Sequence, residues 1–273
     1  MGKWPVLETL LTLFVAHVLA DFVLQTPWIL DNKRHWKGFG LHILIVGLTA
    51  WLFTAAINPW PLMVIVVSHA LTDWAKLAWI NGGNTPEAKK ARDGFWPFLI
   101  DQLVHLAFIV CVAIAWPSTV STGGWGGLPA EQQRLLFQAF TVIGGVALSV
   151  AAGGIFIDKL LAGFGPHRIT PSGPSAGQPP QTQAPSSTSQ DGLGLPGGGQ
   201  AIGWLERAVA LLLILIGQPE GVGLLLAAKS ILRFSDAHAR ANTEYVIIGT
   251  LLSFGWAIAS AVLTRAALLH WGG

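Results

Sequence analysis

Long apolar runs alternate with short polar interruptions along nearly the whole chain. Runs of spanning length fall at about residues 6–25, 41–57, 60–80, 97–116, 135–161, 203–217 and 245–270, with a shorter one at 222–234. A helix needs about 20 apolar residues to cross a hydrocarbon core. The pattern therefore predicts an all-α fold, a polytopic membrane helix bundle with seven or eight spanning segments. The short run either crosses or re-enters, and GQPEGVG (217–223) marks its hairpin. The alternation fails at 165–200, where Pro, Ser, Gly and Gln dominate and little can build a core, so a disordered linker is expected there. The chain thus divides into a four-helix module at 1–116, an external loop with a fifth helix at 117–164, the linker at 165–200, and a C-terminal membrane module at 201–273.

The interruptions also predict orientation. DNKRHWKG (31–38) carries Lys33, Arg34 and Lys37, and NGGNTPEAKKARDG (81–94) carries Lys89, Lys90 and Arg92. The turn INPWP (57–61) and the loop at 117–133 carry neither Lys nor Arg. The positive-inside rule makes the basic loops cytoplasmic, the N-terminus external and the linker cytoplasmic. The first run reads as a retained helix, because His17 and Asp21 interrupt what a cleaved signal would leave apolar and only Lys3 precedes it. Trp28, Trp36, Trp60, Trp79, Trp96 and Trp116 sit near run ends, as interfacial belts do.

Composition narrows the classes. With 52% hydrophobic and 11% charged residues the chain lies far from a soluble domain, which carries about 25% charged residues. A formal charge of +2, spread over short clusters, speaks against nucleic acid, and the bilayer is the partner to expect. The sequence identifies no protein partner. The single cysteine, Cys111, cannot close an internal disulfide and is expected to be a buried, inert thiol.

The informative residues are those that break the apolar runs. His17, Asp21 and Gln25 recur every four residues in FVAHVLADFVLQ; His42 stands alone in the second run; SHALTDWAK carries His69, Asp73 and Lys76; IDQLVH carries Asp101, Gln102 and His105. An ionisable group at mid-membrane costs roughly 2.5–3.5 kcal/mol, so such groups are paired, metal-bound or set in a polar cavity. The inward-running helices read His-x-x-x-Asp and the outward-running one Asp-x-x-x-His. Each therefore sets its His one turn, ~6 Å, deeper than its Asp. The predicted object is a ring of His17, His69 and His105 beneath a ring of Asp21, Asp73 and Asp101, with His42 joining near the carboxylates.

Imidazoles and carboxylates converging inside a bundle form a ligand set for a divalent metal, zinc or manganese foremost. Two ions bridged by a carboxylate, or one ion whose His ligands are oriented by Asp, both satisfy it; a metal-free His–Asp network is the plain alternative. Lys76 lies three residues beyond Asp73, so it either neutralises that carboxylate or holds an anionic substrate group such as phosphate. Gln25 and Gln102 are expected as supporting amides. In the second module, Lys229, Ser230 and Arg233 lie on one short helix and read as an anion pocket for a lipid phosphate headgroup, with salt-bridge glue between helices the alternative.

Taken together, HxxxDFxLQ at 17–25, His42, SHxxxDxxK at 68–76 and DQxxH at 101–105 resemble the bacterial membrane family catalogued as domain of unknown function 3307, over about residues 5–116. IGWLERAVALLL, AAKSILRF and EYVIIGTLLSF look like an extension carried by part of that family. The resemblance implies the architecture and a place in the inner membrane of a bacterial cell, and no activity. Membrane-bound metal-dependent hydrolases offer a distant analogy in their use of intramembrane His and Asp.

The expectation is a membrane-embedded metal-dependent hydrolase working at the cytoplasmic face on a phosphate ester of a lipid or small amphiphile. Asp21 or Asp101 would accept the proton of the attacking water, and Lys76, with Arg233, would hold the phosphate charge. A divalent-cation or proton transporter or channel, and a non-catalytic scaffold, are the competing readings.

Overall fold

The computed structural model describes residues 5–163, 198–234 and 240–272. Among them, seven helices are long and apolar enough to cross a membrane, which makes this a multi-pass membrane protein. The helices are α1 (Pro5–Phe22), α2 (Pro27–Asn32), α3 (Trp36–Thr54), α4 (Pro59–Asn81), α5 (Pro86–Arg92), α6 (Phe95–Ala115), α7 (Ala130–Val146), α8 (Gly153–Ala162), α9 (Gly198–Leu215), α10 (Glu220–Phe234) and α11 (Arg240–Gly272). The expected linker lies outside the described residues except for its last three, which open α9. At 15 residues α10 is about 22 Å long, short of a full crossing.

Several helix starts are written locally. Thr26, Asn58 and Thr85 each accept a backbone N–H of the following turn, at 3.4, 3.1 and 3.1 Å, and a proline follows each of them. A proline at the first helical position has no N–H to leave unpaired and a φ already suited to the helix. Two of these caps start short helices, α2 and α5, inside the polar interruptions.

The first four spans close a ring: α3 packs on α1 and α4, α4 on α6, and α6 back on α1. One end of the ring carries the basic corners around α2 and α5. At the other end the chain turns through Ala55, whose φ of 46° is left-handed, and its carbonyl accepts Gly124 N–H at 2.9 Å. Between the ends, Leu13, Val46, Ala50, Ile65 and Ile109 fill the interior. The fifth span leans on α1 and on α11, which packs in turn on α9. It gets that close through Gly144 and Gly145: an added Cβ would stand 2.6 Å from Val15 Cγ2 and 2.3 Å from Thr264 Oγ1 respectively.

Between α7 and α8 the helix widens into a π-turn, Ala147–Ala152. The carbonyls involved find donors in the C-terminal half: Trp256 Nε1–H reaches Leu148 O at 2.9 Å, and Arg207 Nη2 reaches Val150 O at 3.0 Å. Cys111, expected to be buried, is exposed on the outer face of α6. Helical spacing turns it away from Val112 and Ala113, which are buried.

Candidate metal centre

All seven predicted side chains meet inside the ring, near its basic end. Asp21, His42, His69, Asp73, Asp101 and His105 are buried, and the His17 side chain is 10% exposed. The rings of His17, His69 and His105 gather with centroids 4.1–5.7 Å apart, and His42 joins through His69 at 5.1 Å.

Four atoms from three helices form the tightest group. His42 Nε2 and His69 Nε2 are 3.0 Å apart; Asp21 Oδ1 lies 3.5 and 3.4 Å from them, and Asp73 Oδ2 lies 3.2 and 3.6 Å from them. In a tetrahedral zinc site with bonds of about 2.0–2.1 Å, neighbouring ligand atoms stand about 3.3–3.4 Å apart. The five separations scatter on either side of that spacing, from 3.0 to 3.6 Å. Asp21 Oδ1 is buried with no hydrogen-bond donor, a costly state for a carboxylate oxygen.

A second group shares Asp21. His17, Asp21 and His105 each offer a ligand atom within 4.8 Å of the others, and so do His69, Asp73 and His105. The hydrogen bonds decide which nitrogens are free. His105 Nδ1–H donates to the Asp101 carbonyl at 2.8 Å, so its buried Nε2 keeps a lone pair and has no partner. Gln102 Nε2 donates to Asp101 Oδ2 at 3.1 Å, which turns the amide oxygen to accept His17 Nε2–H at 3.2 Å. His17 Nδ1 is then the free nitrogen, 3.9 Å from Asp21 Oδ2. Asp21 offers one oxygen to each group, as a bridging carboxylate does. An imidazole whose far N–H is tied to a carbonyl or amide is the usual outer layer of a metal site.

Two side chains stand elsewhere than expected, and a third was not expected at the site. Asp101 was expected among the ligands, but it stands outside all three groups: Lys76 Nζ donates to its Oδ2 at 2.9 Å, leaving Oδ1 buried without a donor, 3.8 Å from His105 Nδ1. Lys76 was expected to face Asp73 or stand free for an anion, and it faces Asp101, one helix away. The cation on Asp73 is Lys33, at 2.7 Å. Sequence reasoning passed over Lys33 as a topology signal in a basic loop; the available clue was its position at the end of a capped six-residue helix beside the cluster. Gly38 seats that corner, since a Cβ there would lie 2.3 Å from Asn32 O.

On α10 the described side chains form the salt bridge between helices that was the alternative to an anion pocket. Lys229 pairs with Glu206 on α9 and lies over the Phe254 ring at 5.8 Å, while exposed Ser230 donates to Leu226 O in its own helix. Lys229 is only partly buried, and its charge is met by Glu206. The side chain of Arg233 lies outside the described residues.

A cavity of about 440 Å³ opens beside the cluster at the basic end. Its polar lining is Asp21, Asp73, Asp93 and Asp101 against Lys33, Arg34, Lys76 and Lys159, with Gln25 and Gln102. Lys159 is held by Asp93 at 2.9 Å. The Gln25 amide lies 3.4 Å from His42 Nδ1.

Residues 9–124 match the family described as Protein of unknown function (DUF3307). The match contains every member of the cluster, together with Lys33 and Lys76, and ends before α7. No curated protein and no solved structure matches the chain.

Proposed function

We propose that this protein is a membrane-embedded hydrolase that uses one or two divalent ions, zinc by donor type and spacing, to cleave a phosphate ester at the basic end of its helix ring. The observation that carries the reading is the close approach of two imidazoles and two carboxylates: His42 Nε2 and His69 Nε2 lie 3.0 Å apart, and each lies 3.2–3.6 Å from Asp21 Oδ1 and Asp73 Oδ2. Two nitrogens and two carboxylate oxygens suit zinc, and manganese less closely. His17 Nδ1 and His105 Nε2, with the other oxygen of Asp21, form a three-ligand set beside it, the kind that leaves a position open for water.

When bound, such an ion makes a water nucleophilic near neutral pH and polarises a phosphoryl oxygen. The remaining roles belong to the chain. Asp101 Oδ1, free of donors, takes the proton of the attacking water, while Lys76 and Gln102 hold its other oxygen in place. Lys76 and Arg34 line the cavity in which the phosphate would lie. The basic loops support a cytoplasmic position for this end, and the family resemblance supports the inner membrane of a bacterial cell.

Transport through the same residues needs a polar route to the opposite end. The interior there is packed with Leu13, Val46, Ala50, Ile65 and Ile109, which speaks against it.

Elemental analysis of the purified protein, beside His42→Ala and Asp21→Asn variants, tests the site. Wild type should carry close to one or two zinc equivalents per chain and each variant markedly less, with p-nitrophenyl phosphate cleavage lost in chelator and restored by zinc. Equal, trace metal in all three sinks the metal centre. Metal without cleavage, but with zinc uptake into proteoliposomes, would replace hydrolysis by transport.

A further inference from the structure

A long groove runs down the outer face of the ring between α4 and α6, with a volume of about 950 Å³. Its wall is made of Met63, Val67, Leu71, Ala75, Ile100 and Val104, and none of the described elements covers it. Met63, Val67, Leu71 and Ile100 are each at least half exposed. Ser68, Thr72 and Ala75 recur on one face of α4, and these small side chains keep the groove open.

This groove differs from an ordinary lipid-facing crevice in where it ends. Lys76 and Asp101 line both the groove and the 440 Å³ polar cavity, so the two spaces meet at that ion pair. Ser68 and Phe108 line the groove and also a small cavity beneath His17, His69 and His105. The stretch from Met63 to Lys76 spans about 20 Å of helix at a rise of about 1.5 Å per residue. One leaflet of a hydrocarbon core is about 15 Å deep, so a whole acyl tail fits alongside. Four acidic and four basic side chains line the cavity. With a divalent ion held among its carboxylates the cavity is positive, and the headgroup it suits is anionic.

We propose that the groove between α4 and α6 seats the acyl tail of an anionic membrane phospholipid, whose phosphate reaches the His–Asp cluster sideways from the bilayer past Lys76 and Asp101. The choice of headgroup rests on the metal-dependent reading above; the seat for the tail does not.

The test uses the full chain, reconstituted in bilayers of phosphatidylcholine carrying a trace of photoactivatable phosphatidic acid with a diazirine in its tail. Cross-links should concentrate on peptides covering 62–75 and 97–108. Val67→Trp and Ala75→Trp, which fill the groove from positions facing lipid, should cut that labelling about tenfold. Leu44→Trp, on the exposed face of α3, should leave it unchanged. With zinc present, labelling by the phosphatidic acid should exceed that by an equally tagged phosphatidylcholine, and chelator should remove the preference while groove labelling persists. Groove labelling indifferent to headgroup and zinc would retain the tail seat and overturn the anionic, metal-linked headgroup. Labelling spread evenly over all outer faces, or unmoved by the two groove-filling variants, overturns the tail seat whatever the metal content.

Discussion

Lys33 and the pair of facing imidazoles compete for one oxygen of Asp73. A carboxylate that is 2% exposed needs a cation, and without an ion Lys33 supplies it. Lys33→Met should therefore lower stability in chelator by about 3 kcal/mol, the scale for breaking a buried pair. The same variant should bind zinc more tightly, because a competitor is gone. Thermal unfolding with and without zinc, together with a zinc titration, checks both; unchanged zinc affinity would separate Asp73 from the metal. Asp101→Asn should act in the opposite way, abolishing ester cleavage while metal content stays at the wild-type level, since Asp101 supports His17 through Gln102 rather than joining the ligand groups. The convergence of His17, Asp21, His69 and Asp73 was legible from four-residue spacing on one helix face. The Lys76–Asp101 and Lys229–Glu206 pairings were not, because a long flexible side chain reaches whichever neighbour the helix rotations bring near.

Among the elements, the π-turn in the fifth span ties the two halves together. Arg207 and Trp256 donate to Val150 O and Leu148 O, and Arg207 is 6% exposed. Arg207→Met should cost about 1–3 kcal/mol by leaving a buried carbonyl unmade. Metal content should not change, since α9 contributes nothing to the cluster; loss of zinc in this variant would mean the halves are coupled. Gly145→Leu should be more severe, because its Cβ would already overlap Thr264, and overpacking of a close helix contact costs typically about 1–3 kcal/mol before any backbone shift. Size-exclusion profiles after heating would report it as earlier aggregation. The Thr-Pro and Asn-Pro starts of α2, α4 and α5 are local signals. The π-turn leaves no such mark in an apolar run, since it exists only where donors from α9 and α11 meet it.

For the molecule as a whole, the ring puts its basic corners at one end and the Ala55 turn and 117–128 loop at the other. In a Cys111→Ala background, Ser121→Cys should react with a membrane-impermeant maleimide in intact cells and Glu87→Cys only after permeabilisation; the reverse pattern would invert the orientation. Hydropathy by itself predicted seven or eight spans, the four that carry His and Asp, and the His–Asp order within each motif, because these depend on composition and helical period along one stretch of chain. Only the tertiary structure decided that Asp21 shares its oxygens between two groups, that Lys33 rather than Lys76 holds Asp73, and that a groove joins the bilayer to the cluster. Those facts depend on the rotation and spacing of neighbouring helices, set by close approaches such as Gly38 on Asn32 and Gly144 on Val15, and no period within a single helix encodes them.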